Sequence, residues 1–367
     1  MKKVILCIAF VSLSLTGCYD RVEMDDRNYV ITIGIDKFDP KVQYMQENTR
    51  YPNRYSVSLA LAQLQSDNES ADSGESKQKE KNIVDIVSGT TLSETLRVSD
   101  KYNSKESYYG QLKTVIIGEE VLKDRELLYE TMESLEKNNE INSSVIILGC
   151  KDKAHSVMEK ILQENSSSGL YIWDFYKSSG KDEETEILNI QQVQRAFSEG
   201  EAIVIPMIYE KDSSIIIDGG IILRDYEMTG LIESESKQGT HWIMNRGKNK
   251  IIQALCDDRY VSAKILSNKT KYYYTEKDNE LYCNIDINLK LQIIGDKYFE
   301  DAYIIDKFSE VIGEQANEAV KLAIDTNSDF LNINRNLKWR NSALFNKYNG
   351  VVNKIDTFVN LEIEYRQ

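Results

Sequence analysis

The sequence holds little of what catalysis at neutral pH draws on. Only two histidines, His155 and His241, occur in 367 residues, and neither lies in an H-E-x-x-H pattern or beside a cysteine. His155 falls in the first turn of a helix expected over 152–163, on its polar face, and reads as exposed. The phosphate-cradling G-x-x-x-x-G-K-[ST], the dinucleotide G-x-G-x-x-G and the nucleophile-bearing G-x-S-x-G are all missing. The five cysteines contain no C-x-x-C pair, which excludes a locally encoded zinc ribbon or thioredoxin-like site. Acid pairs such as Asp25-Asp26, Glu119-Glu120 and Asp257-Asp258 lack the spacing of a calcium loop. Ser66-Asp67-Asn68 and three S-x-x-K hits, at Ser76/Lys79, Ser178/Lys181 and Ser234/Lys237, match pieces of penicillin-recognising enzymes. No K-T-G follows them, and three rival hits mark coincidence. A non-enzymatic protein without cofactor or metal is expected.

Long apolar runs are equally scarce. The first, over residues 4–15 behind Lys2 and Lys3, is too short to span a bilayer as a mature anchor and is followed by Leu15-Thr16-Gly17-Cys18. That order is a lipobox: residues 1–17 are an export signal, and the Cys18 thiol accepts a diacylglycerol and becomes the mature N-terminus. Each buried methylene contributes about 0.8 kcal/mol, so two or three acyl chains make a permanent anchor where one is marginal. No second long run follows, and the body is expected to be soluble and tethered at one end. Loss of Lys2 and Lys3 leaves 59 acids against 43 bases. That balance argues against nucleic acid as a partner, and for acyl chains rather than a basic patch as the hold on anionic lipid. Cys150, Cys256 and Cys283 read as small buried hydrophobes, with a disulfide between two of them left open outside the cytoplasm.

What is present is a globular body, 41% hydrophobic and rich in tyrosine, 22 against 3 prolines. Residues 29–37 and 55–64 read as strands, and 65–81 as a polar loop. Helix, strand, helix, strand and helix follow over 91–102, 110–118, 119–137, 144–150 and 152–163. Residues 202–209, 214–223 and 226–232 read as strands, with a bulge or turn at Asp218-Gly219-Gly220; 236–246 reads as a short helix that Gly239 weakens. Strict alternation from Leu281 to Ile293 marks a strand with one buried face. Ile305, Phe308, Ile312, Ala316, Ala319 and Ala323 form the stripe of a long helix, and Ile355 to Tyr365 alternate again. The fold class is α+β and multi-domain, with mixed and antiparallel sheets covered by helices and a C-terminal β-β-α-β module. Units are expected at 18–200, 201–268 and 269–367, the middle one open to interleaving with the first.

Gly17-Cys18-Tyr19-Asp20-Arg21-Val22-Glu23-Met24 followed by Gly34-Ile35-Asp36 resembles the opening of the Ger(x)C lipoproteins, the C subunits of nutrient germinant receptors in endospore-forming bacteria. Gly89-Thr90-Thr91-Leu92, residues 112–120 (LKTVIIGEE), residues 325–331 (DTNSDFL) and Trp339 are similar to further landmarks of that family. Tyr19 stands where the family commonly has tryptophan, and residues 332–334 replace a glycine-bearing segment. The resemblance implies a three-domain lipoprotein on the outer face of the spore inner membrane, required for nutrient-triggered germination and working beside integral membrane A and B subunits. It defines no catalytic residues and gives a role to Cys18 alone; Asp20 to Glu23 and Gly34 to Asp36 read first as structural. A lipid tether and an α/β body also suit the solute-binding lipoprotein of a transporter, which is the alternative.

Overall fold

The computed structural model describes residues 27–42, 45–46, 50–62, 85–102, 105–164, 168–178, 188–295, 298–350, 352 and 354–365. The expected lipobox with Cys18, the Asp20 to Glu23 segment and the whole polar loop at 65–81, with its S-D-N element and Ser76/Lys79, lie outside these residues, as does Lys181.

Among the described residues, two sheets organise the chain. The first has ten strands: β1 (Arg27–Lys37), β2 (Met45–Gln46), β3 (Tyr55–Leu61), β4 (Asp85–Gly89), β5 (Glu106–Tyr108), β6 (Thr114–Ile117), β7 (Ile146–Cys150), β8 (Ile203–Lys211), β9 (Ser214–Arg224) and β10 (Glu227–Ile232). Their order is β10-β9-β8-β7-β6-β1-β3-β4-β2, with β5 beside β1. β1, β6, β7 and β8 run parallel, and antiparallel hairpins extend both edges. Parallel strands need covered crossovers and become apolar on both faces, which is why Thr114-Val115-Ile116-Ile117 is buried throughout. Val115 and Ile117 face helices Leu92–Ser99, Arg125–Lys137 and Ile190–Ser198, while Ile116 faces Ala154–Glu164 and Ser168–Ser178. The helix expected over 119–137 is broken in two, because Asp124 caps a second helix by accepting from the Leu127 amide at 3.2 Å. At Gly219, φ is +73° and two residues face one on β8, so the Asp-Gly-Gly segment is a bulge inside β9.

The second sheet follows as β11 (Ile251–Cys256), β12 (Arg259–Lys277), β13 (Glu280–Ile294) and β14 (Lys354–Tyr365), paired in that order, with β14 parallel to β13. Leu281, Cys283, Ile285, Ile287, Leu289, Leu291 and Ile293 form its buried row, as the alternation predicts. β11 and β12 carry no such clean signal, since a bulge near Leu266 shifts the period of β12 and its outward row is Lys- and Tyr-rich. The module therefore has three strands before its helix. The expected unit edge at 268/269 lies inside β12, and strands from 201–268 are divided between the two sheets. Helix Asp301–Asp325 covers the second sheet through Ile304, Phe308, Ile312, Ala316 and Ala319. Ile305, placed on that stripe by the sequence, is only half-buried; the i, i+4 row runs from Ile304. Short helices Ile333–Arg340 and Ser342–Tyr348 lead back to β14.

Helix Ser234–Ile243 lies between the sheets and crosses helix Asp301–Asp325. It forms despite Gly239 because the glycine is what the crossing requires: a Cβ there would stand 1.8 Å from the Gln315 carbonyl oxygen. All three described cysteines are buried free thiols, Cys283 within the second core.

Candidate functional site

The landmark segments come together at two places. At the first, Asp36 at the end of β1 is buried, its Oδ1 accepting from the Ala154 amide at 2.8 Å and its Oδ2 from the His155 amide at 2.9 Å. It satisfies two of the unpaired donors at the start of helix Ala154–Glu164. Burial raises its pKa, against the pull of those two amides. Gly118, from the LKTVIIGEE landmark, has no room for a side chain, because a Cβ would lie 2.0 Å from Asp36 Oδ1. At Gly34 a Cβ would lie 2.5 Å from Met158 Sδ, so the same helix presses onto β1 over a bare backbone. The Gly-Ile-Asp and Gly-Glu-Glu segments are thus two halves of one packing node. Gly89-Thr90-Thr91-Leu92 is structural in the same sense: Thr91 Oγ1 accepts from the Glu94 amide at 3.2 Å, and Glu94 Oε2 accepts from the Thr90 amide at 3.2 Å.

His155 is not an exposed residue. Its side chain is 16% accessible, with Nδ1 3.1 Å from Ser58 Oγ and Nε2 3.4 Å from Glu159. Ser, His and Glu in a row have the outline of a hydrolytic relay, but Ser58 is 1% exposed, so no substrate carbonyl can approach its oxygen. His241 is buried as well, and Lys237 of the third S-x-x-K pairs with Asp218. Among the described residues no three His, Cys, Asp or Glu side chains gather to hold a metal.

The second place is the junction of the two sheets. Asp329, from the DTNSDFL landmark, accepts from the Ile333 amide at 2.7 Å and the Asn334 amide at 2.8 Å and so starts helix Ile333–Arg340. Asn332 before it takes φ +58°, the left-handed conformation that asparagine tolerates better than most residues. Arg335 reaches back across the junction to Glu201 at 3.1 Å and lies 4.8 Å over the Trp339 ring. Thr229 and Ser328 hydroxyls meet at 2.9 Å, tying β10 to the end of the long helix. Between the sheets is a cavity of about 920 Å³, lined by Arg195, Arg224, Asp329, Arg335, Lys338 and Trp339 among others. Trp339 is a landmark in the sequence, whereas its cationic neighbours and Glu201 stand out only in the fold. A usable signal was there: no acid occurs between Asp329 and Asp356 in an otherwise acidic chain.

Burial pushes the Asp329 carboxyl up to about 6, outweighing its amide donors. The folded state then holds this proton more tightly than the unfolded chain, whose value lies near 3.8. The stability it contributes is full at low pH and is lost as pH rises through about 6. Asp329→Asn, which cannot titrate, is expected to flatten the stability profile across that window; urea unfolding with an unaltered slope would refute the assignment.

Comparisons with known proteins place these landmarks in a family. The model described as spore germination protein N-terminal domain matches residues 20–209, and that described as spore germination B3/GerAC like, C-terminal, matches residues 218–366. The chain is similar to the spore germination protein YndF of Bacillus subtilis (strain 168), 20% identical over 393 aligned positions that cover 99% of this chain and 93% of that one. Its fold is similar to the crystal structure of the GerBC protein, with a TM-score of 0.58 and 14% identity, covering 88% of this chain and 96% of that one. With both halves matched in order over nearly its whole length, the chain belongs to the spore germination GerAC-like family.

Proposed function

We propose that the protein is the lipid-anchored C subunit of a spore germinant receptor, held through Cys18 on the outer face of the spore inner membrane, where it assembles with integral membrane A and B subunits and is required for nutrient-triggered germination. The observation that carries this reading is the pairing of a lipobox at residues 15–18 with a family match beginning at residue 20. Among the described residues no helix is long and apolar enough to cross a membrane, so a subunit of this kind needs another tether, and acyl chains on Cys18 supply one. Confinement to the plane of the membrane raises the effective concentration of its partners.

Cys18→Ala tests the reading. The variant is expected to lose incorporation of labelled palmitate, to leave the membrane fraction of spores and to fail in nutrient germination while sporulation stays normal. Full germination from an unacylated protein would overturn it. The interdomain cavity keeps the solute-binding alternative in view; tight stoichiometric binding of nutrients to the isolated mature chain by calorimetry would favour that alternative.

A further inference from the structure

The chain as a whole is strongly acidic, yet its charge is segregated. Residues 338–343, where helix Ile333–Arg340 turns into helix Ser342–Tyr348, are exposed without interruption. At the front of this knuckle Trp339 is 74% accessible, between Lys338 and Arg340. Nearby cations have carboxylate partners: Arg335 pairs with Glu201, Lys347 with Glu276 and Lys354 with Asp356. Among the described residues no carboxylate lies within salt-bridge distance of Lys338 or Arg340, and the Lys338 ammonium lies 5.8 Å over the Phe345 ring. An exposed tryptophan carries an apolar body and a polar tip, and between two uncompensated cations it matches the boundary of an anionic bilayer.

Topology places the knuckle's helix relative to the chain's entry into the sheet. In the parallel strands, Ile35 of β1, Ile117 of β6, Gly149 of β7 and Met207 of β8 share one row. Counting back equally along β1 and β8 sets Glu201 level with Tyr29. Three strand spacings separate them, about 15 Å. Arg335, on the helix that leads into the knuckle, is bound to Glu201, so that helix is fastened at the end of the sheet where the chain enters from its N-terminus. The nine residues from Cys18 to Arg27 reach at most about 30 Å. A membrane holding Cys18 is therefore kept within about 30 Å of the sheet end to which the knuckle's helix is fastened.

We propose that Lys338, Trp339 and Arg340 form a second membrane contact, docking the body on anionic phospholipid headgroups and fixing its orientation beside its tether. The contact rests on the anchor reading for the position of the membrane, and its test is made without the anchor. The mature chain from residue 19, produced without signal or acyl groups, is to be sedimented with vesicles of equimolar phosphatidylglycerol and phosphatidylcholine, and with phosphatidylcholine alone. Weak, salt-sensitive binding to the anionic vesicles only is expected. Lys338→Glu with Arg340→Glu should reduce it on the order of tenfold or more. Brominated lipid should quench Trp339 fluorescence in the parent and have no such effect in Trp339→Phe. All three side chains are exposed, so the folded core is left intact and circular dichroism serves as the control. Equal binding by parent and double variant, or an unquenched Trp339, would overturn the proposal. So would absence of vesicle binding combined with crosslinking from position 339 to a membrane protein in spores, which would make the knuckle a protein interface. Absence of palmitate labelling in the parent protein bears on the anchor alone, so the two failures are separable.

Discussion

Gly239→Ala is expected to destabilise the C-terminal core by about 3 kcal/mol. Propensity argues for the opposite sign, since alanine is about 1 kcal/mol better than glycine inside a helix. Packing decides it. The added Cβ would lie 1.8 Å from the Gln315 oxygen, 2.5 Å from its carbonyl carbon and 3.0 Å from the Ala316 nitrogen, all backbone atoms of the long helix. Unlike a side-chain tip, they cannot rotate away. The two helices must separate, which strains the Trp242 Nε1 to Gln315 Oε1 hydrogen bond of 2.8 Å and opens the small-residue face of Ala316 and Ala319. Urea unfolding followed by the fluorescence of Trp242, which is 1% exposed, reads this core directly. An unchanged or higher midpoint would show that the helices are looser than their contact indicates.

Asp36→Ala is expected to cost about 2–4 kcal/mol, because it leaves the Ala154 and His155 amides without acceptors at a buried helix start. Asp36→Asn retains one acceptor oxygen and should lose about half as much. Hydrogen exchange over residues 154–164 separates this from the competing role for the Gly-Ile-Asp segment. If Asp36 is a cap, protection of that helix falls in step with stability. If the segment were a partner contact, the variant would fold normally and fail only in germination, and the packing node described above would be the wrong account of it.

The strictly alternating row of β13 was readable because one residue in two faces a covered core, and nothing but its own pairing sets that period. The long helix was equally readable, yet its stripe was assigned one residue off at Ile305. Several residues of a helix are apolar near its start, and only the angle at which it crosses the sheet selects Ile304. β12 was missed because a bulge breaks its period and its outer face carries lysine and tyrosine. The polar helix face around His155 predicts exposure, but Ser58 on β3 packs against its ring and leaves it 16% accessible.

The net charge pointed away from any basic contact with lipid. It is a sum over the chain and carries no positions, whereas in the fold Glu201, Glu276 and Asp356 pair with Arg335, Lys347 and Lys354, and no described carboxylate lies within salt-bridge distance of Lys338 or Arg340. By itself the sequence determined what depends on neighbours along the chain: the periodic elements, the α+β class and the scattered landmarks of the family. Tertiary structure alone decided what those landmarks do. Asp36, Gly118, Ala154 and Met158 are distant in sequence and meet because parallel strands place β1 beside β6 beneath one helix. Gly239 looks like a weak point in a helix until the backbone of Gln315 is seen where its side chain would be.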